Sequence, residues 1–305
     1  MESSRPKSKW ISRSRLVVQF GFFLLFNGAV LGLPRTTFTL PVLQSLGSEG
    51  RTVIDALDAL QIMLSWPSFP WIPISAFMLS GLLLGRTSCG WACPFGFLTD
   101  LMAVLREKHM QVSLRLHNQA VNFKYGILAV TLFISGTLAI SLAAGTGRAY
   151  QTALGLFAGA PFSALSPAGT ILGVVPSTIK TAVAALAFIT SPEGMWQGLR
   201  SVSPLLVIRL WILILIFAAS IFIERFWCRY LCPSGAFLAV FSRFGFLGLR
   251  RSPLLCDKCG DCMKRCPMLI RIVDKPWEKM LDSECIMCLE CMEACPHNAI
   301  KPTFP

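Results

Sequence analysis

The chain has 305 residues, 54% of them hydrophobic and 14% charged, with a mean hydropathy of +0.60. Soluble globular domains carry about 25% charged residues, so a free cytosolic enzyme is excluded and a membrane protein is expected. The formal charge of +12 comes from 28 Lys and Arg against 16 Asp and Glu. In so apolar a chain this excess marks the cytoplasmic flank of membrane spans, and no nucleic-acid partner is expected.

Residues 1–15 form a basic start, with Arg5, Lys7, Lys9, Arg13 and Arg15, ahead of an apolar run over 16–33 broken by Gln19 and Asn27. The run is longer than the apolar core of a cleavable signal and close to a full span, so an uncleaved anchor is predicted. Further spans are predicted over 69–85 and 125–145, both uncharged, and over 204–223, where Arg209 can snorkel to the headgroups. The loop over 86–124 holds Arg86, Arg106, Lys108, Arg115 and Lys124, and Arg225, Arg229, Arg243, Arg250 and Arg251 follow the last span. That bias places this loop and both termini in the cytoplasm. The stretch 153–189 is ambiguous. Pro161, Pro167, Pro176 and Lys180 interrupt it, so it reads as a further hairpin, a re-entrant element or an external loop.

Two predicted spans end alike. The first continues as Arg86-Thr-Ser-Cys89-Gly-Trp-Ala-Cys93-Pro94-Phe-Gly96, the second as Arg225-Phe-Trp-Cys228-Arg-Tyr-Leu-Cys232-Pro233-Ser-Gly235. Both fit R-x-x-C-x-x-x-C-P-x-G, and both lead into stretches, 97–116 and 236–249, expected to be amphipathic and to lie on the cytoplasmic face. Two span pairs with this ending predict a pseudo-two-fold bundle that gathers Cys89, Cys93, Cys228 and Cys232. Four such thiols can ligate an iron–sulfur cluster or another soft metal, cycle between dithiol and disulfide, or simply pack. The pairing with Pro and Gly at matching offsets favours a redox or metal role. Arg86 and Arg225 read either as cations that lower thiol pKa values or as ordinary cytoplasmic anchors.

Beyond Arg251 the composition changes. Cys256, Cys259, Cys262 and Cys266-Pro267 repeat as Cys285, Cys288, Cys291 and Cys295-Pro296, which is C-x2-C-x2-C-x3-C-P written twice. In this bacterial two-cluster spacing the fourth cysteine serves the other cluster. One [4Fe–4S] cluster is therefore expected on Cys256, Cys259, Cys262 and Cys295, and the second on Cys285, Cys288, Cys291 and Cys266. Zinc sites space their pairs differently, and disulfides are unusual in the cytoplasm. The expected architecture is an α-helical membrane bundle of about four core spans over 16–250, joined to an α+β two-cluster ferredoxin-like domain over 251–305.

Histidine narrows the cofactors further. His109 and His117 fall in the cytoplasmic loop and read as solvated or interfacial residues, and His297 follows Cys295-Pro296. No pair of span histidines can hold a b-type haem, and no C-x-x-C-H attaches a c-type haem. Trp66, Trp71, Trp91, Trp211 and Trp227 sit near predicted span ends and read as an interfacial belt.

These span, C-x3-C-P and ferredoxin motifs together resemble the NapH-type family of ferredoxin-like membrane proteins, to which MauN and the membrane part of NosR are related. The match runs from about residue 10 to 300, with all twelve cysteines in register and the 153–189 element unmatched. The resemblance implies a multi-pass subunit of the bacterial inner membrane within a multi-subunit oxidoreductase. It implies oxidation of menaquinol or another quinol, with electrons passed to a NapG-like iron–sulfur partner and on to a periplasmic reductase such as nitrate reductase. The quinol would bind between spans, at residues the sequence does not single out. Two other readings stay open: a conduit from a cytoplasmic donor outward, and a maturation or metal-delivery factor using Cu at the membrane thiols.

Overall fold

The computed structural model describes residues 10–27, 38–39, 43–45, 54–65, 71–106, 110, 112–155, 166–176, 178 and 204–304. In chain order the helices are α1 (Trp10–Asn27), α2 (Ala56–Ser65), α3 (Trp71–Leu84), α4 (Thr87–Trp91), α5 (Pro94–Val104), α6 (Leu114–Ala143), α7 (Gly147–Leu154), α8 (Pro167–Gly169), α9 (Pro204–Phe222), α10 (Phe226–Tyr230), α11 (Pro233–Ser242), α12 (Asp261–Lys264) and α13 (Glu290–Ala294). The strands are β1 (Phe38–Thr39), β2 (Leu43–Ser45), β3 (Ile54–Asp55), β4 (Gly248–Arg251) and β5 (Ile300–Thr303). They divide into two compact units. One comprises Met1–Phe23, Trp71–Leu128 and Ile221–Pro305, and the other Leu24–Pro70 and Ala129–Ser220.

Among the described residues two helices, α6 and α9, are long and apolar enough to cross a bilayer. Helix α3 is equally apolar but has 14 residues, and Gly85 ends it in a left-handed conformation (φ +61°). Helix α1 already includes Arg13 and Arg15, which were expected to precede the first span. Residues 28–33 of that predicted span lie outside the described residues, as do His109, Trp66 and most of 153–189. The described part of that last stretch holds the end of α7, then α8 continuing as a π-helical turn over Thr170–Val174.

The first unit carries all twelve cysteines. Helices α5 and α11 each begin with proline at the first helical position, where a missing N–H costs nothing. They were expected to lie amphipathically on the membrane surface, but they are short apolar helices packed against longer ones. Phe97 of α5 stacks against Phe20 and Phe23 of α1, with ring centroids 6.0 and 5.5 Å apart. Phe237 of α11 meets Phe77 of α3 at 4.5 Å, edge on. Gly81 lets α11 approach, because a Cβ there would lie 2.5 Å from the Phe241 Cβ. Leu101 and Val104 of α5 and Val240 of α11 stay exposed, so each helix keeps an apolar outer face.

The C-terminal region is closed by an antiparallel pair, β4 with β5, in the register Gly248↔Thr303 to Arg251↔Ile300. The pairing begins at Gly248, just ahead of the boundary expected at 251. A small core of Leu249, Met268, Ile270, Ile272, Met280, Ile286 and Ile300 surrounds buried cysteines. So few apolar side chains leave much of the folding energy to whatever the cysteines bind. In the second unit, β1, β2 and β3 form an antiparallel sheet with Phe38↔Ser45 and Leu43↔Asp55 opposed.

Candidate cluster and thiol sites

The two ferredoxin repeats fold alike at matching offsets. Lys258 and Met287, each just before the second cysteine, have φ of +59° and +50°. Gly260 and Leu289, just after it, have φ of +82° and +62°, and Leu269 and Asn298 after each Cys-Pro have +55° and +50°. Left-handed turns in non-glycine residues cost on the order of 1–2 kcal/mol each, so this repeated pattern is held by its surroundings. It curves the two loops in the same way.

The cysteines of one predicted set share a cavity. Cys266, Cys285, Cys288 and Cys291 line one apolar cavity with Leu249, Met268, Ile270, Ile272, Met280, Ile286 and Leu289. Cys285 and Cys288 are pushed up to about 12, chiefly by burial and also by neighbouring acidic groups, Cys266 among them. Cys262 is raised by burial and then by Cys295, Cys259 and Cys256, the other members of its predicted set. Backbone N–H groups point at the sulfurs, from Ile270 to Cys266 Sγ at 3.4 Å and from Ala299 to Cys295 Sγ at 3.3 Å. Among the described residues no three His, Cys, Asp or Glu side chains gather tightly enough for a single metal ion. A single ion draws thiolates to about 2.3 Å from one point, whereas a four-iron cubane keeps them farther apart. The N–H···S donors at each set, and the apolar wall around Cys266, Cys285, Cys288 and Cys291, fit [4Fe–4S] groups there.

In the span-end motifs every fixed letter has a structural role. Cys93 and Cys232 are helix N-caps: their Sγ atoms accept from Gly96 N at 3.4 Å and Gly235 N at 3.3 Å. The arginines cross between copies. Arg225 Nη1 donates to the Cys89 carbonyl at 2.9 Å, and Arg86 Nη2 donates to the Cys228 carbonyl at 3.4 Å. Glycine is needed where the opposite arginine passes, since a Cβ on Gly235 would lie 2.8 Å from Arg86 Nη2. Neither arginine is a solvated anchor, because both are 0–1% exposed.

The guanidiniums of Arg86 and Arg225 each have a carboxylate. Arg225 binds Asp100 in a fork, Nε to Oδ1 at 2.7 Å and Nη2 to Oδ2 at 2.6 Å, with Gln19 Nε2 on the same carboxylate at 3.0 Å. Arg86 Nη1 donates to Glu284 Oε2 at 2.7 Å, and Glu284 also accepts from Lys124 and, at 2.7 Å, from the Tyr125 hydroxyl. Burial opposes the charges of Asp100 and Glu284, but Arg225 and Arg86 respectively hold both below the usual carboxylate range. Burial likewise opposes the two arginine charges, which Asp100 and Glu284 more than restore. Sequence reasoning did not single out Asp100, Glu284 or Gln19. The available signal was a lone carboxylate in the apolar α5 and another directly before Cys285.

Burial, then Cys228 and Cys89, push Cys93 up to about 12 despite Gly96 and Arg225. Cys228 is raised by burial as well. Such thiols are protonated at neutral pH and are poor nucleophiles. A metal bound there would displace the proton. His117 and two tryptophans also depart from expectation. His117 is buried, with Nδ1 3.0 Å from the Tyr230 hydroxyl. Trp227 is buried too, and Trp91 Nε1 donates to the Met287 carbonyl at 2.8 Å, so neither belongs to an interfacial belt.

The motifs grip the ferredoxin region at one cluster site. Trp91 bonds Met287, between Cys285 and Cys288. Gly90 faces Ile286, whose carbonyl oxygen would be 2.2 Å from a Cβ. Arg229 donates to the carbonyl of Pro267, next to Cys266. Arg15 Nη1 pairs with Glu290 at 2.7 Å. The other set faces outward, with Cys259 exposed.

Comparison with known proteins matches a 4Fe-4S dicluster domain to residues 249–296. A 4Fe-4S binding domain matches twice, at 67–113 and 205–252, the two segments that carry the C-x3-C-P motifs. An uncharacterized protein of Methanocaldococcus jannaschii is 32% identical over 73% of this chain and 74% of its own length. The putative electron transport protein YccM of Escherichia coli is 28% identical over 82% of this chain and 61% of its own. The ferredoxin-type protein NapH of Haemophilus influenzae is 25% identical over 72% and 63%. NirI, MauN and NosR proteins match at 25–28% identity, and the chain spans about a third of the length of NirI. No solved structure matches.

Proposed function

The chain belongs to the NapH/MauN/NosR-related family of ferredoxin-type, iron–sulfur electron-transfer proteins, and from that premise we propose that it is a quinol-oxidising subunit of the inner membrane. In this reading both termini are cytoplasmic, and the two cysteine sets each hold a [4Fe–4S] cluster. Menaquinol or another quinol is oxidised in the membrane half, and the electrons pass to an iron–sulfur partner that feeds a periplasmic reductase such as nitrate reductase. A quinol releases two electrons and two protons, and two one-electron clusters suit that division.

The observation that carries the reading is the grip of the first motif on the loop between Cys285 and Cys288, through Trp91 and Gly90. It puts the span-end cysteines and one cluster site in direct packing contact, with Cys89 against the ferredoxin core. Electron tunnelling needs such continuity. The buried Arg225–Asp100 pair braces this contact region.

One observation favours a second reading. The exposure of Cys259 suits exchange with a soluble carrier at the outer cluster site, so electrons could instead enter from a cytoplasmic donor and leave outward. Anaerobic EPR of the oxidised protein, before and after a menaquinol analogue, separates the two. Reduced-cluster signals on mixing are expected for quinol oxidation. Signals that appear only after dithionite overturn it in favour of the cytoplasmic donor.

A further inference from the structure

Arg229 stands in the short helix α10, between the two cysteines of the second motif, and only 3% of it is exposed. Its Nη2 donates to the carbonyl of Pro267, the residue after Cys266. Its Nε is buried and has no hydrogen-bond partner among the described residues. Other arginines of this unit are neutralised by carboxylates. Arg15 and Arg265 share Glu290, at 2.7 and 3.2 Å, Arg225 binds Asp100, and Arg86 binds Glu284. Among the described residues no carboxylate pairs with Arg229.

A guanidinium cannot shed its proton to escape burial. An uncompensated charge in the interior is strongly unfavourable, so an anion belongs opposite it. The cluster reading supplies one. Four thiolates outweigh the charge of an oxidised [4Fe–4S] core, and reduction adds one more negative charge. The Cys266 thiol already registers the cation. Burial raises it, and the Ile270 and Met268 N–H groups and then Arg229 work against that rise.

We propose that Arg229 is the fixed counter-charge of the inner cluster, the one held by Cys266, Cys285, Cys288 and Cys291, and that it raises the reduction potential of that cluster alone. The inference rests on the cluster reading above. Its sign follows from charge: a cation in a low-dielectric interior stabilises the more negative, reduced state. Neutralising Arg229 strands no carboxylate, because none is paired with it, so the site loses one positive charge without a compensating proton. The electron comes from the quinol of the proposed reaction, or from dithionite in the titration. A raised potential makes the inner cluster the better acceptor from a quinol.

The test is an EPR-monitored redox titration of the full chain in lipid nanodiscs, with iron content measured on the same samples. Cys259→Ala disrupts the outer cluster and so assigns the two signals. Arg229→Gln removes the charge but still offers an N–H donor to the Pro267 carbonyl. At a fixed potential its inner cluster is expected to show an about tenfold lower ratio of reduced to oxidised form, a fall of about 59 mV in midpoint for one electron. The outer midpoint should stay put, and Arg229→Lys, which keeps the charge, should hold the inner midpoint near its native value. Arg229→Met serves where Arg229→Gln does not assemble. Loss of the inner cluster in both neutral variants but not in Arg229→Lys would also support a counter-charge. An inner midpoint unmoved by neutralisation overturns the inference. So does an Arg229→Lys variant that falls as far as Arg229→Gln or loses the cluster with it, since Arg229 would then be a brace. Absence of both signals from the native chain instead overturns the cluster reading and the inference with it.

Discussion

The two copies of the span-end motif share their letters but hold the ferredoxin region differently. In the first copy the residue after the first cysteine is Gly90, and its bare Cα lets the Ile286 carbonyl come against the backbone. In the second copy the same position is Arg229, which reaches out to the Pro267 carbonyl. The next residue is Trp91 in one copy, bonded to Met287, and Tyr230 in the other, bonded to His117. Both grips converge on the Cys266/Cys285/Cys288/Cys291 site. The shared letters build the motif itself, and the variable ones decide which cluster loop it meets.

The sharpest way to break this comparison is to fill the space beside Gly90. Gly90→Val would drive side-chain atoms into a backbone carbonyl that cannot swing aside. The expected cost is roughly 3 kcal/mol, seen as a lower unfolding temperature together with loss of one of two clusters by iron content and EPR. An unchanged melting temperature would mean that the first grip is not made in solution. Arg229→Met tests the second grip. It strands a buried carbonyl, and the expected cost is about 2 kcal/mol with both clusters still assembled. Trp91→Phe removes one N–H···O bond while keeping an aromatic ring, and a loss of about 1 kcal/mol is expected by the same denaturation measurement.

How much of this was legible beforehand divides along the same line. The register of the eight ferredoxin cysteines is local, so their pairing into two sets could be read from spacing, and the cavity lined by Cys266, Cys285, Cys288 and Cys291 agrees with it. The arginine exchange was not legible, because Arg225 meets Cys89, and Arg86 meets Cys228, across more than a hundred residues. Spacing reports periodicity along a chain and not which distant carbonyl a guanidinium will reach. Asp100 was hidden for a related reason. A single acidic residue in an apolar helix looks like a solvated surface charge until its partner is known. The partners of 97–116 and 236–249 were not legible either, because Phe97 meets Phe20 and Phe237 meets Phe77 across long stretches of chain.

The smallest expected change in stability gives the most decisive chemical answer. Cys93 and Cys232 cap α5 and α11, so any loss of function on their replacement could reflect a frayed helix as easily as lost thiol chemistry. Serine separates the two, because it caps at least as well as cysteine. Cys93→Ser and Cys232→Ser should therefore unfold within about 0.5 kcal/mol of the native chain, whereas Cys93→Ala should lose about 1 kcal/mol. Both serine variants should keep both ferredoxin clusters, since neither residue belongs to either set. Reduction of those clusters by a menaquinol analogue, followed by stopped-flow absorbance, is expected to slow sharply in the serine variants if the membrane thiols take part in transfer. Native rates in both would leave these cysteines as caps, and the route between quinol and cluster would then run past them through the packed contact of Trp91 and Gly90.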